Sequence, residues 1–376
     1  MKNPNEESEE VVAEEAEQKI FSKDEEREIV KNKFKDDPFT GAPATANREV
    51  LEISDEEQER RTELFQKMIV VTGGAGFIGS HLIKELNIRG REDILLVDNL
   101  SDPRKLQNIN TLKFQDYADK SKFIELLGFL AENKMIERIY HLGAESSRFC
   151  EDGKYLMENN YQYTCNIMDI CHLNKIPLVF ASSASVYGQV NVVAAQHKDD
   201  AYRKMAFDDT SDNYTPESYY ALSKLQADRY SRKFMEIAED RIIGLRYFNV
   251  NSDGKHEQHK DDMKSALCWM TEQYEKDGVI KLFKGSKEFS RDFITVETAI
   301  WMTMNAMQKG RSGIYNIGQE KARTFYNLAS DILEKDFNVD ESCIKYVPMP
   351  ENIAEGYQKF TEANMVNACF GTTTRP

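Results

Sequence analysis

Surplus positive charge is the first thing this chain lacks. Its 49 lysines and arginines face 64 aspartates and glutamates, a net charge of −15. A nucleic-acid partner, which needs a basic footprint against phosphate, is therefore not expected. Long apolar runs are missing too. None approaches the roughly 20 residues that cross a bilayer, and the acidic N-terminus is the reverse of a secretory leader. The six cysteines (Cys150, Cys165, Cys171, Cys268, Cys343, Cys369) form no C-x-x-C pair and have no histidine cluster beside them. That argues against zinc and fits reduced thiols. These absences predict a soluble, cytoplasmic protein with no metal, no membrane partner and no nucleic-acid partner. With 376 residues, 40% of them hydrophobic, the chain can still bury a large core, as one large or two smaller domains.

What is present falls into two unlike parts. Residues 1–67 carry −9 of the net charge, leaving −6 for the other 309. Glu and Lys dominate this part, and Pro38, Gly41 and Pro43 break its middle. Glu14 to Phe34 and Ser54 to Gln66 could form charged helices, the second opened by Ser54 and Glu57 at capping-box spacing. Neither has a broad apolar face. The segment reads as an acidic, disordered extension, with a partner-binding or regulatory arm as the other reading.

From Met68 short apolar runs alternate with helix-period segments. The runs are 68–71, Ile94 to Val97, Ile139 to His141, Leu178 to Ala181 and Ile242 to Leu245; the helices lie near 77–89, 121–133, 154–174 and 219–239. Strands separated by helices imply right-handed crossovers and a parallel sheet covered on both faces. The expected fold is therefore α/β, a Rossmann-type doubly wound sheet over 68–248. A smaller substrate-binding domain is expected over 249–376, exchanging segments with the first. Further short strands are expected near 280–293 and at Gly313 to Ile317.

The stretch M-I-V-V-T-G-G-A-G-F-I-G-S-H-L at 68–82 anchors the first domain. Gly73 allows a tight turn, Gly76 lets backbone approach a pyrophosphate, and Gly79 lets helix pack closely on strand. The helix start offers unpaired N–H groups to that pyrophosphate. Glycines in this spacing also occur in plain turns; the strand before and the helix after point to a dinucleotide. Asp98, ending the second run, can accept hydrogen bonds from an adenosine ribose, and Asn99 follows it. Lys105 and Lys120 near that ribose would favour NADP over NAD, though spacing alone equally reads them as ordinary surface lysines.

Chemistry is suggested further on. The run from Leu178 leads into A-S-S-A-S-V-Y-G, placing Ser182 and Ser183 at a strand's C-terminal end, where open parallel sheets bind ligands. Tyr220 and Lys224 are four apart on one helix face. A phenol titrates near pH 10, too high for a base at neutral pH. A neighbouring ammonium and a positive nicotinamide would both favour phenolate.

On T-G-G-A-G-F-I-G at 72–79, Ser183, Tyr220 and Lys224, the chain resembles the extended short-chain dehydrogenase/reductase superfamily. Within it, the chain is similar to the ADP-L-glycero-D-manno-heptose 6-epimerases. The similarity rests on V-D-N-L at 97–100, D-G-K-Y-L-M-E-N-N-Y-Q-Y at 152–163, R-Y-F-N-V at 246–250 and L-F-K-G-S-K-E-F-S-R-D-F at 282–293. It continues through S-G-I-Y-N-I-G at 312–318 and Y-V-P-M-P with G-Y-Q-K-F-T at 346–361. The resemblance implies cofactor contacts from Gly73, Gly76, Phe77, Ile78, Gly79, Asp98, Asn99, Lys105, Lys120, Leu142, Gly143, Ala144, Glu145, Ser146, Asn159, Lys224 and Val250. It makes the two lysines ligands of a 2′-phosphate and the cofactor NADP. Tyr220 and Lys260 become the two acid/base groups, with Ser183 and Lys224 completing the catalytic set. Asn249, Phe283, Lys284, Gly285, Ser286, Arg291 and Tyr357 become the ADP-sugar pocket. The implied reaction inverts C6″ of ADP-glycero-manno-heptose by transient oxidation to a ketone and re-reduction from the opposite face, for lipopolysaccharide core heptose supply. A homo-oligomer is also implied.

Departures gather near the substrate. Where the family has Tyr-Gly-Pro this chain has Asn251-Ser252-Asp253, with about two extra residues before Lys260. Asp262 replaces a serine and Trp269 a histidine, and the end at Pro376 falls short of the usual final helix. Lys255 and Lys264 are the neighbouring amines. A 4-epimerase or other nucleotide-sugar oxidoreductase, and a catalytically silent NADP-binding protein, are the other readings. Ala184, where a dehydratase needs an acid, argues against that chemistry.

Overall fold

The computed structural model describes residues 67–147, 150–189, 205–212, 214–237, 241–252, 256–354 and 357–368. The extension and its two charged segments, Asp253, Lys255, Cys369, the side chain of Asp262 and the C-terminal tail lie outside the described residues.

Seven parallel strands form the main sheet: β1 (Met68–Thr72), β2 (Ile94–Asp98), β3 (Asp116–Asp119), β4 (Ile136–His141), β5 (Leu178–Ser183), β6 (Ile242–Tyr247) and, much later, Gly313–Ile317. They stand in the spatial order Gly313–Ile317, β6, β5, β4, β1, β2, β3. β1, β2 and β6 are buried at every position. That is why they read as continuous apolar runs rather than alternating ones. Alternate residues serve opposite faces. Ile69, Val71, Ile94, Leu96, Val179, Ile243 and Leu245 join helices α1 (Phe77–Ile88) and Val296–Lys309 in one core. α2 (Lys120–Glu132), α3 (Tyr163–Asn174) and α4 (Tyr219–Ser231) pack on one another and on the sheet. Asp119 caps α2 through its carboxylate and Ser218 caps α4 through its hydroxyl.

Two differences from the sequence reading matter. β3 was absent from the apolar runs because, at the sheet's edge, Asp116 and Tyr117 are exposed and only Ala118 is buried. The expected helix 154–174 is broken: Gly153–Leu156 is one α turn, Met157–Gln162 is a π turn, and α3 follows. Such a π turn widens the helix and turns its side chains, and it often marks a functional site.

After β6 come β7 (Asn249–Asn251), α5 (Ala266–Asp277), β8 (Ile280–Phe283), β9 (Ser290–Thr295), α6 (Val296–Lys309), β10 (Gly313–Ile317), β11 (Ala322–Thr324), α7 (Phe325–Phe337) and β12 (Ile344–Val347). β7, β9 and β11 make a three-stranded sheet, and β8 pairs with β12. Met270, Ile280, Leu282, Leu328, Ile332, Leu333 and Ile344 form a second, smaller core there. Between these pieces the chain returns to the main sheet, where β10 pairs with β6 in parallel from Gly313↔Ile243 to Ile317↔Tyr247.

Candidate active site

Strand order reverses between β1 and β4, and the loops after those two strands meet there. In open parallel sheets this is where ligands sit. Gly73 has φ +67, and a Cβ there would lie 2.7 Å from the Gly143 backbone, so the β1 and β4 loops touch main chain to main chain. A Cβ on Gly79 would fall 2.1 Å from the Gly73 carbonyl oxygen, which already accepts the Gly76 N–H at 2.9 Å. α1 therefore starts hard against the turn. Its N-cap is Gly76, with no side-chain cap. The first-turn amides thus remain available to an anion.

Asp98 is buried at the end of β2. Its carboxylate accepts the Ala75 amide at 2.8 Å and the Lys105 ammonium at 2.7 Å, tying the glycine turn to the end of β2 and to Lys105. Lys105 also donates to the Asn99 carbonyl at 2.8 Å. Lys120 is held elsewhere, donating to Asn159 Oδ1 at 2.8 Å on the π turn and lying 5.8 Å from the Tyr155 ring centre. Leu142 to Ser146 leave the end of β4. Asn160, which the sequence reading passed over, clamps this stretch: it accepts the Glu145 amide and donates to the Glu145 carbonyl, both at 2.9 Å. Two adjacent asparagines inside a helical segment were the available signal. Asn108 donates to the Ala75 carbonyl at 2.9 Å, while its buried Oδ1 has no protein partner. A glycine cradle, uncapped amides, a carboxylate at the strand end and an orphaned amide oxygen suit a dinucleotide.

Ser183, Tyr220 and Lys224 converge from β5 and α4. The Ser183 hydroxyl accepts Ser185 Oγ at 2.9 Å and also hydrogen-bonds the Tyr220 phenol. Lys224 is 4% exposed; its ammonium donates to the Ala181 carbonyl at 2.8 Å and lies 6.0 Å from the Tyr220 ring centre. Burial lowers the lysine to about 8, against a raising effect from Asp228. The phenol departs from the sequence expectation. Burial pushes it above its ordinary value of 10, the Ser183 hydrogen bond offsets part of this, and the Glu145 charge adds to the rise. The physical reason is that the Lys224 ammonium is aimed at a carbonyl rather than at the phenol oxygen.

Lys260 sits on a 3-10 segment, Gln258–Met263, with its ammonium 5.1 Å from the Phe77 ring centre. It therefore lies over the start of α1. Burial lowers its proton affinity and the nearby Glu257 carboxylate raises it. Arg104, also unforeseen, reaches this segment from beside Lys105, donating to the Gln258 carbonyl at 3.0 Å and pairing with Asp261. Lys264 is occupied by Glu272 at 2.7 Å.

The remaining predicted residues gather around the β8–β9 turn. Phe283 ends β8, Lys284 and Gly285 (φ +94) follow, and Ser286 is buried with its hydroxyl unpartnered. Arg291 on β9 is 4% exposed, its guanidinium 5.2 Å from the Tyr357 ring centre and 5.8 Å from that of Phe325. β7, carrying Asn249 and Val250, pairs with β9. Gln358 donates to the Gly188 carbonyl at 2.8 Å, linking the Tyr357 segment to the turn after Ser183. The Trp269 side chain on α5 is partly exposed. No group of three or more potential metal ligands occurs among the described residues, and no described helix is long and apolar enough to cross a membrane.

Residues 69–318 match the NAD dependent epimerase/dehydratase family. The chain belongs to that family. An ADP-L-glycero-D-manno-heptose-6-epimerase of Brachyspira hyodysenteriae is 39% identical over 302 residues, 79% of this chain and 89% of the relative. Among solved structures, the Helicobacter pylori ADP-L-glycero-D-manno-heptose-6-epimerase superposes with a TM-score of 0.65 at 26% identity, covering 81% of this chain and 90% of that one. A UDP-N-acetylglucosamine 4-epimerase from Methanobrevibacter ruminantium, in complex with UDP-N-acetylmuramic acid, also gives 0.65. It covers 83% of this chain and 93% of its own, but at 24% identity it speaks for the fold alone. This epimerase/dehydratase-family fold, with its NAD-dependent chemistry, accounts for the glycine turn and the strand-end serines together.

Proposed function

We propose that this epimerase/dehydratase-family protein inverts C6″ of ADP-glycero-manno-heptose, in the supply of heptose for the lipopolysaccharide core. The observation that carries the reading is the 39% identity to the Brachyspira 6-epimerase across nearly all of that relative. The convergence of Ser183, Tyr220 and Lys224 at the C-terminal end of β5, one strand from the order switch, supports it. A C–H bond at that carbon carries no acidic proton, so inversion there needs oxidation and re-reduction. A bound nicotinamide supplies the hydride acceptor and donor. NADP is read over NAD on the family resemblance, in which Lys105 and Lys120 are ligands of a 2′-phosphate; Lys105 stands at the end of β2, 2.7 Å from Asp98.

The chain's own residues then have separate tasks. Tyr220 takes or returns the proton at the substrate hydroxyl, and the Ser183 hydroxyl holds that oxygen in line. Lys224 orients the nicotinamide ribose. Lys260 serves the opposite face of the transient ketone as the second proton donor and acceptor. Arg291, flanked by Tyr357 and Phe325, takes the diphosphate through paired donors, with Asn249 and Phe283 to Ser286 completing the pocket.

The decisive experiment incubates the purified protein with ADP-D-glycero-D-manno-heptose and follows C6″ configuration by NMR. Epimer formation without net cofactor reduction is expected. Tyr220→Phe and Lys260→Met are each expected to abolish it while cofactor stays bound. Cofactor binding without epimerisation of this sugar, but with inversion of a UDP- or dTDP-sugar, would move the substrate and leave the chemistry. Full turnover in Lys260→Met would remove Lys260 from its role.

A further inference from the structure

Glu257 is fully buried in an otherwise partly exposed segment, and its carboxylate is held by several short contacts among the described residues. Oε1 accepts the Ser265 hydroxyl at 2.7 Å and the Ser252 hydroxyl at 3.0 Å. Oε2 accepts the Ser265 amide at 2.6 Å and lies 3.6 Å from the Lys260 ammonium. Its own carbonyl accepts the Lys260 amide at 2.9 Å. A carboxylate removed from water is costly unless it is paired and hydrogen-bonded. Three donors and one ammonium meet that need. Ser265 is also the N-cap of α5, its hydroxyl receiving the Cys268 amide at 3.4 Å. Glu257 thereby joins the end of β7, the start of α5 and the Lys260 turn in a single knot. Substrate contact is not required for any of this.

We propose that Glu257 is a positioning residue for Lys260: it fixes the lysine over the Phe77 end of the cofactor turn and keeps it charged between proton transfers. The inference rests on the reading of Lys260 as the second acid/base group. The geometry is specific for a carboxylate. An amide of the same shape keeps two or three of the contacts but puts no charge beside the ammonium. Among the described residues, the charged and titratable groups around Lys260 are Glu257 and His259 on its own segment and Cys268 on α5; the Phe77 ring on α1 supplies the fourth wall. Glu257 is the carboxylate among those groups, so its neutralisation leaves the ammonium uncompensated.

The test compares Glu257→Gln and Glu257→Asp with the unmodified chain, all saturated with cofactor. Lysines are reductively methylated with a 13C label, and the Lys260 signal is assigned by its loss in Lys260→Met. In Glu257→Gln the Lys260 titration is expected to move down by about one pH unit, as for loss of one opposite charge nearby. The matching limb of the kcat profile should move with it, and kcat should fall about 10-fold, the scale of losing an orienting partner. KM and cofactor content should hold. Glu257→Asp, which keeps the charge, should restore the titration and part of kcat. An unmoved Lys260 titration in Glu257→Gln would overturn the proposal, even if the melting temperature fell, because a purely structural role predicts only the latter. A shifted titration with no change in kcat profile, together with active Lys260→Met, would fault the role of Lys260 and leave the pairing intact.

Discussion

An alanine at Gly79 puts one methyl group where the structure has no room for it. The added carbon would lie 2.1 Å from the Gly73 oxygen and 2.8 to 2.9 Å from two further backbone atoms of the turn, whereas ordinary contact begins at 3.4 Å. The helix start must therefore retreat from the turn by about 1.3 Å, and packed backbone does not give that much without loss. Overpacking of this kind costs ~1–3 kcal/mol. Weakening the Gly76 N–H to Gly73 bond adds ~1 kcal/mol, and the better helix propensity of alanine returns up to ~1 kcal/mol. The expected net is a destabilisation of about 1–3 kcal/mol, read from denaturant melts. The sharper effect is on ligand. First-turn amides displaced by more than an ångström lose charge-assisted bonds, so the dissociation constant for dinucleotide should rise about 10- to 100-fold, measured by quenching or calorimetry. Gly90→Ala is the control. Gly90 also has positive φ (+77) but a Cβ there meets nothing within 4 Å. It should cost ~1 kcal/mol of strain and leave affinity unchanged. Unaltered dinucleotide affinity in Gly79→Ala would refute the close-packing argument.

Other expectations follow the same chemistry. His141 lies buried between the Thr72 and Thr164 hydroxyls and burial holds it down to about 3, against 6.5 for the free side chain. Below pH 6.5 the unfolded chain binds a proton the fold refuses, so the fold loses about 2–3 kcal/mol through this group between pH 6.5 and 4.5. Asp292, raised to about 6, works in the opposite direction. The measurement is therefore the difference in acid slope between the unmodified chain and His141→Gln, and equal slopes would contradict it. Lys105→Ala should weaken NADP by about 10-fold, or ~1.4 kcal/mol, while NAD changes little; equal losses for both would place the 2′-phosphate elsewhere. Arg291→Met should raise KM for the nucleotide sugar at least about 10-fold with cofactor affinity unchanged. Arg291→Lys should recover only part of it, because one ammonium cannot reproduce a paired donor set.

The parallel sheet was readable because burial on both faces leaves an uninterrupted apolar signature, as in Ile94–Asp98 and Leu178–Ser183. β3 was not, since Asp116 and Tyr117 face solvent at an edge and carry no such mark. The π turn at Met157–Gln162 has the same apolar spacing as an α-helix and is set by hydrogen bonding rather than by composition. At the site, residues belonging to local motifs were legible: the glycine turn, the strand-end serines, and Tyr220 with Lys224. Residues that act through distant partners were not. Glu257 is one acid among 64 acidic residues, and only its serine partners on both flanks distinguish it. Arg104 gave no sequence signal, because its partners Gln258 and Asp261 lie more than 150 residues away along the chain.

The late return of β10 to the main sheet has a consequence for how the molecule is made. β6 is buried at every position partly because β10 covers its outer edge. During synthesis β6 emerges from the ribosome about 70 residues before β10 does, since Tyr247 and Gly313 are that far apart. Throughout that interval a strand destined for full burial, with the apolar run Ile242 to Leu245, has an open edge, a geometry prone to pairing with another chain. Part of the smaller core, Met270, Ile280 and Leu282, is encoded inside that gap, and the rest follows β10. Nascent chains stalled so that β6 but not β10 has emerged should be the ones that chaperones retain, and chains released past 317 should escape them.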